Sequence, residues 1–281
     1  MSGPIGPGPE SPGWAVVLGG SSGIGAAIAQ LLAVSPGLDL FVAHRGNWPE
    51  GAAEVEAAVA AAGRRCVFWT ADAGTAEAAS EGVARLREVA GAQNVRFFVH
   101  SLACACVGRL VVGDEPLHPR QLQRTFDRMA HSFVYWAQGL HQGGLLAPGA
   151  RLLGLSNLMT EEVVRGAAAI AATKAALEMY VRHLALELGP LGHRVNLLKF
   201  AFVPTAAARR TFPGDALARL TDVMLSGTPA GRLCELEEVA RLVSFLAGPH
   251  ADWFNGATID FTGAESQSFF DALVYPDDRR P

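Results

Sequence analysis

Apolar residues come along this chain in short, predominantly apolar runs, set between longer stretches where they recur at helical spacing. Residues 14–18, 38–43, 66–71, 95–100, 151–155, 194–200 and 257–261 are such runs, rich in Val, Leu, Phe and Ala. A strand buried on both faces of a parallel sheet loses in–out alternation, so these runs predict strands of that kind. The stretches between them predict helices. The first covers about 24–33 and stops at Pro36-Gly37; the second covers 49–62 and closes at Gly63; the third covers 76–89 behind Thr75 as its cap. Further helices are expected within 119–146, over 162–188 with an alanine-rich first half, over 205–225 with mixed polarity, and over 236–246. Strand and helix alternate throughout, which predicts an α/β chain with a doubly wound, mostly parallel seven-stranded sheet covered on both faces.

Composition narrows the picture. A chain of 281 residues, 50% apolar, buries one large core, and neither a linker nor a repeat divides it. One domain is expected over 14–263, after a Gly/Pro-rich disordered leader at 1–13 and before a C-terminal tail at 264–281. The net charge of −4 and the lack of a basic cluster argue against a nucleic-acid partner. No apolar run is long enough to span a bilayer, and the leader lacks the regions of a signal peptide, so a cytoplasmic protein with no membrane partner is expected. Cys66, Cys104, Cys106 and Cys234 show no metal-ligand spacing, and no metal is expected.

The candidate chemistry starts at Gly19-Gly20-Ser21-Ser22-Gly23-Ile24-Gly25, between the first strand and the first helix. Glycines let the backbone turn tightly and approach a pyrophosphate, and the helix that follows presents free N–H groups and the positive end of its dipole. A tight turn without a ligand is the plain alternative, and the strand–turn–helix setting favours the phosphate cradle.

The order of the pieces resembles the short-chain dehydrogenase/reductase family over about residues 14–263. The resemblance rests on residues 19–25, Asp72 after the third strand, Ser156-Asn157 after the fifth, Thr173-Lys174-Ala175-Ala176-Leu177-Glu178 on the long helix, and Arg194-Val195-Asn196. Val99-His100-Ser101-Leu102-Ala103 and Thr228-Pro229-Ala230-Gly231-Arg232 are similar to segments of that family's enoyl-acyl-carrier-protein reductase branch. The resemblance implies a single Rossmann domain with a helical lid over a substrate pocket, a bound dinucleotide, and a homodimer or homotetramer. Gly19, Ser21, Ser22, Gly23, Ile24 and Gly25 would then hold phosphates. Asp72 would accept from the adenine amine with Ala73 beside it, unless it is a turn or cap residue. Ser101, Leu102 and Ala103 stand where the family has Asn-Ala-Gly, and Val203 and Thr205 stand where the carboxamide is contacted. Arg45 closes the second strand, and no acid occupies 43–47. An acid there would repel a 2′-phosphate, whereas an arginine pairs with it, so NADP(H) is expected unless Arg45 is a solvated loop residue.

The family's chemistry needs a tyrosine as proton donor one helical turn before the lysine that steadies the cofactor ribose. Lys174 is present, but Ile170 stands four residues before it, and Ala167 stands at the enoyl-reductase spacing of seven. Met129 corresponds to the family's helical asparagine. Ser156 and Asn157 remain to hydrogen-bond a substrate oxygen. Substitutes for the missing donor are His100, His131, Tyr135, Glu161 and Glu162, each with an ordinary structural alternative. Cys104 and Cys106 follow the fourth strand with only Arg109 as a nearby cation in sequence, and read as structural thiols. The segment 206–225 is expected as the lid, with Phe202, Phe212, Leu217, Leu220 and Met224 on its apolar inner side or in ordinary core packing.

Together these features predict an NADPH-dependent reductase of a carbonyl or conjugated enoyl substrate, aromatic polyketide-like or an acyl thioester, free or carrier-bound, with a non-standard proton donor. A non-redox cyclase, dehydratase or isomerase reusing the fold, and a catalytically silent binding partner, are the competing readings.

Overall fold

The computed structural model describes residues 13–268 apart from 35, 213 and 266, together with residue 274. The expected leader lies outside the described residues except for Gly13, which is buried and whose carbonyl accepts from the Asp39 N–H at 3.0 Å.

Seven strands form one sheet: β1 (Trp14–Leu18), β2 (Asp39–His44), β3 (Cys66–Thr70), β4 (Val95–His100), β5 (Leu146–Ser156), β6 (Arg194–Phe200) and β7 (Thr258–Phe261). Their order is β3-β2-β1-β4-β5-β6-β7 and every pairing is parallel. β1 and β2 are buried at every position, which is why their sequences show no alternation. Alternate residues still serve opposite faces. Trp14, Val16 and Leu18 join a core with Phe133, Trp136, Leu177 and Val181; Ala15 and Val17 join another with Ile28, Leu32, Val55 and Val239. The first core lies under α3 (Ala76–Ala90), α5 (Ser132–Gln142) and α6 (Ala168–Leu188), and the second under α1 (Gly23–Val34), α2 (Pro49–Ala61) and α9 (Leu236–Ala247). Thr75 caps α3 by accepting from the Ala78 N–H at 3.1 Å, as its position in the sequence predicts.

Most boundaries agree with the sequence reading to within a residue, and the larger differences fall in three regions. The expected helix at 162–188 starts only at Ala168, because Gly166 takes φ +84° and its carbonyl instead accepts from the Gly108 N–H. The lid divides into α7 (Ala206–Thr211) and α8 (Asp215–Gly227), with Gly214 at φ +60° ahead of α8. The stretch 119–146 contains α4 (Pro119–Phe126), a π-helical turn at Asp127–His131 and α5, while β5 begins at Leu146, five residues earlier than the run 151–155. Leu146 pairs with Val95 before the register shifts to Phe97 and Arg151; the intervening Gly149 has φ +73°.

β2 and β3 lie on one side of β1, and the chain then crosses to place β4 on the other. The connections after β1 and β4 therefore leave in opposite directions and open a crevice at the C-terminal end of the sheet, where doubly wound proteins hold ligands. Among the described residues no helix is long and apolar enough to cross a membrane.

Candidate active site

The crevice is a cleft of about 620 Å³, within the range of small-molecule sites. Its floor begins at the turn between β1 and α1. Gly19 has φ +81° and Gly23 φ +54°, conformations that side chains disfavour. A Cβ on Gly25 would stand 2.3 Å from the Gly19 carbonyl oxygen, and one on Gly19 would stand 2.5 Å from that of Ser101. This turn thus has to be glycine-rich, and it brings bare backbone and the start of α1 to the cleft. That is a fit for a pyrophosphate: N–H groups, a helix dipole and close access, without a side chain in the way.

The residues singled out in the sequence meet here. Ser21, Ser22, Ile24, Arg45, Asp72, Ala73, Ser101, Leu102, Ala103, Ser156, Asn157, Lys174, Val203 and Thr205 line the same cleft as Gly19, Gly23 and Gly25. Arg45 enters from the C-terminal end of β2 and forms no ion pair among the described residues. Asp72 is already engaged: Arg128 donates to its Oδ2 through Nε at 2.9 Å and also through Nη2. Arg128, from the π-helical turn, is a cleft residue that sequence reasoning missed. It lies 56 positions from Asp72, and no local pattern announces the pair.

Lys174 projects from α6 and is buried; its Nζ donates to the Leu155 carbonyl at 2.7 Å. Desolvation pushes its pKa down to about 8. Ile170 lies one turn earlier on α6 and also lines the cleft. With Met129 and Ala167 it forms a small apolar cluster against Ala105, Met159 and Val164. The wall where the family resemblance implies a donor is therefore hydrocarbon, and among the described residues no tyrosine lines the cleft. Ser156 is buried at its edge. Asn157 is partly committed, since its Oδ1 accepts from the Met159 N–H at 3.1 Å and caps a short 3-10 turn.

Most of the substitute donors are occupied elsewhere. His100 is fully buried with Nε2 2.7 Å from Ser132 Oγ, and burial, followed by the Lys174 charge, holds its pKa near 3. His131 Nδ1 meets the Tyr180 hydroxyl at 3.0 Å, Tyr135 donates to Asp127 at 3.4 Å, and Glu161 pairs with Lys199. Of these candidates only Glu162 lines the cleft. Phe202, Phe212, Leu220 and Met224 line it as expected from the lid, together with Val223; Leu217 does not.

Two features correct the sequence reading of charge. Cys106 accepts from Arg124 at 3.2 Å and Cys104 from Arg128 at 3.6 Å, so the cations beside these thiols come from the α4 region rather than from Arg109. Burial alone would raise the Cys106 thiol, but the Arg124 and Thr125 hydrogen bonds and the nearby guanidinium charges hold it below its usual value. Two described residues of the stretch expected as tail, Glu265 and Ser268, also make contacts at the site. Glu265 is buried on the cleft wall and its Oε2 accepts from the Phe202 N–H at 2.7 Å, while Ser268 donates to the Gly227 carbonyl at the end of α8. Burial raises the Glu265 carboxyl pKa. No metal-holding group of three or more His, Cys, Asp or Glu side chains is found among the described residues.

A parallel doubly wound sheet with a glycine-rich turn, a buried lysine and a lid defines a dinucleotide-fold protein of the oxidoreductase type. A model of the enoyl-(acyl carrier protein) reductase family matches residues 19–263, and the chain belongs to this short-chain dehydrogenase/reductase family. It is 32% identical over 261 residues to a hydroxynaphthalene reductase of Aspergillus fumigatus, covering 86% of this chain and 88% of the relative. It is 27% identical over 253 residues to the 1-cyclohexenylcarbonyl-CoA reductase of Streptomyces collinus, covering 89% and 86% respectively. Among solved structures it matches a short-chain dehydrogenase from Burkholderia cenocepacia in complex with NADP, with a TM-score of 0.77, 29% identity, and coverage of 89% of this chain and 96% of that one.

Proposed function

We propose that the protein is an NADPH-dependent reductase of a carbonyl or conjugated enoyl substrate, aromatic or thioester-bound, that works with a proton donor other than the family's tyrosine. One observation carries the reading: a single cleft is lined by the glycine turn, by Arg45, which forms no ion pair among the described residues, by Lys174 and Ser156, and by apolar residues of the lid. The NADP in the Burkholderia neighbour supports the cofactor. The names of the two relatives, a hydroxynaphthalene reductase and a cyclohexenylcarbonyl-CoA reductase, support a cyclic substrate that is either aromatic or a conjugated thioester.

When bound, the reduced nicotinamide supplies a hydride. The chain's own residues do the rest. The 19–25 turn and Arg45 bind the phosphates, and Lys174 steadies the ribose. Ser156 orients the substrate oxygen, and the lid residues Phe212, Leu220 and Met224 exclude water from the reacting atoms. Proton delivery has to bypass Ile170. Lys174 is the lysine of the cleft among the described residues, and with its pKa near 8 it can release a proton close to neutrality. A substrate carrying its own acidic hydroxyl, or an enolate protonated after the hydride arrives, makes a smaller demand on the site.

The apolar wall of Met129, Ala167 and Ile170 favours one second reading, a non-redox use of the pocket. Incubation with NADPH and two panels, aromatic ketones and cyclic enoyl thioesters, separates the two. Stoichiometric NADPH oxidation with a reduced product is expected in at least one panel. Lack of turnover in both, or product formed without cofactor, would overturn the proposal, and the second outcome selects the non-redox reading.

A further inference from the structure

Two separate elements converge at the adenosine end of the cleft. Arg45, Asn47 and Trp48 come from the connection between β2 and α2, and Arg210 comes from α7 of the lid; all four line the cleft. The Arg210 guanidinium carbon stands 5.6 Å from the centroid of the Trp48 ring. Contact with Trp48 fixes where Arg210 reaches, because Trp48 follows the end of β2, far from the β5 and β6 ends where Ser156 and Val203 lie.

The course of α7 makes this reach informative. Its cap residue Thr205 sits over the glycine turn, since a Cβ on Gly23 would meet Thr205 Cγ2 at 3.6 Å. Five residues later the same helix touches Trp48 through Arg210. The helix thus runs as a strap from the pyrophosphate turn to the adenosine end.

Charge at that end is unbalanced. Neither Arg45 nor Arg210 takes part in an ion pair among the described residues. Of the acids that line the cleft, Asp72 follows β3 beside β2 but is held by Arg128, while Glu162 precedes α6 and Glu265 follows β7, away from that end. Both guanidiniums are exposed, so an Arg–Trp stack alone holds the strap weakly. A phosphate dianion has three acceptor oxygens, more than a single arginine fork engages.

We propose that Arg210 is a second ligand of the 2′-phosphate, delivered by the lid, so that closure of the strap is coupled to that phosphate. This rests on the NADP(H) reading above, and it adds cofactor discrimination to a segment that otherwise serves the substrate.

The test uses the full chain, wild type and Arg210→Gln, titrated with NADPH and with NADH by tryptophan fluorescence. Parallel tryptic digests follow cleavage after Arg209, the neighbouring exposed site on α7. Arg210→Gln should weaken NADPH by about tenfold, the value of one charge-assisted hydrogen bond, and change NADH by less than about twofold. NADPH, and not NADH, should slow cleavage after Arg209 in the wild type, and that protection should be lost in Arg210→Gln. A Trp48→Phe variant, which keeps an aromatic face, should retain the protection. If Arg210→Gln weakens both cofactors equally, or neither, or leaves protection intact, the inference is wrong and Arg210 is only a packing contact. A wild type that binds NADPH no tighter than NADH would instead overturn the cofactor reading beneath it.

Discussion

At the phosphate end of the cleft the site is made of backbone, whereas at the chemical end it depends on side chains, and the two ends have fared differently in this chain. The turn at 19–25 leaves almost no freedom: a Cβ on Gly25 would collide with the Gly19 carbonyl at 2.3 Å. Around Lys174 only the lysine remains of the implied pair, its neighbour one turn earlier being Ile170 inside an apolar cluster. Changing a backbone-built cradle disturbs the local fold, while replacing one cleft side chain by another of similar bulk leaves packing intact. A dinucleotide cradle can therefore persist beside altered chemistry, and it identifies what is held more firmly than what is done.

The largest effect is expected where the chemical end is repaired. Ile170→Tyr places a phenol one turn before Lys174, whose charge lowers the phenol's pKa. With a ketone substrate kcat should rise by about 10²-fold, the low end of what general acid catalysis contributes. An unchanged kcat in a folded variant would mean that proton transfer is already supplied or is not part of the reaction.

A smaller effect is expected from pH. Burial pushes Lys174 to about 8, and its charged form is the one that steadies the ribose and carries a proton. Turnover should hold below that value and fall about tenfold per pH unit above it. Lys174→Arg, whose guanidinium stays charged, should lose activity yet flatten that fall. A wild-type profile level to pH 10, about two units above the value for Lys174, would remove the lysine from the chemistry.

The same contrast governs what was legible in the sequence. Predominantly apolar runs are the signal of β1 and β2, because burial at every position on both faces leaves no in–out alternation. The glycine turn, Arg45 and Lys174 were legible because each is a short local signal tied to the end of an element. Asp72 lines the cleft, but its partner Arg128 is hidden from the sequence by chain separation and by the π-helical turn that presents it. Glu265 read as tail because nothing after β7 shows periodicity, although its carboxylate is fixed by the Phe202 N–H. The start of α6 was misplaced because alanines near Gly166 favour a helix that the glycine's positive φ ends. His100 looked like a candidate acid by position alone; its complete burial was visible only in three dimensions.

The most direct measurement is an equilibrium titration of the wild type and Arg45→Glu with NADPH and NADH. The wild type should bind NADPH at least about tenfold more tightly, and the charge reversal should remove that preference while leaving NADH binding within about threefold. Equal affinities in the wild type, or a preference that survives Arg45→Glu, would contradict the account.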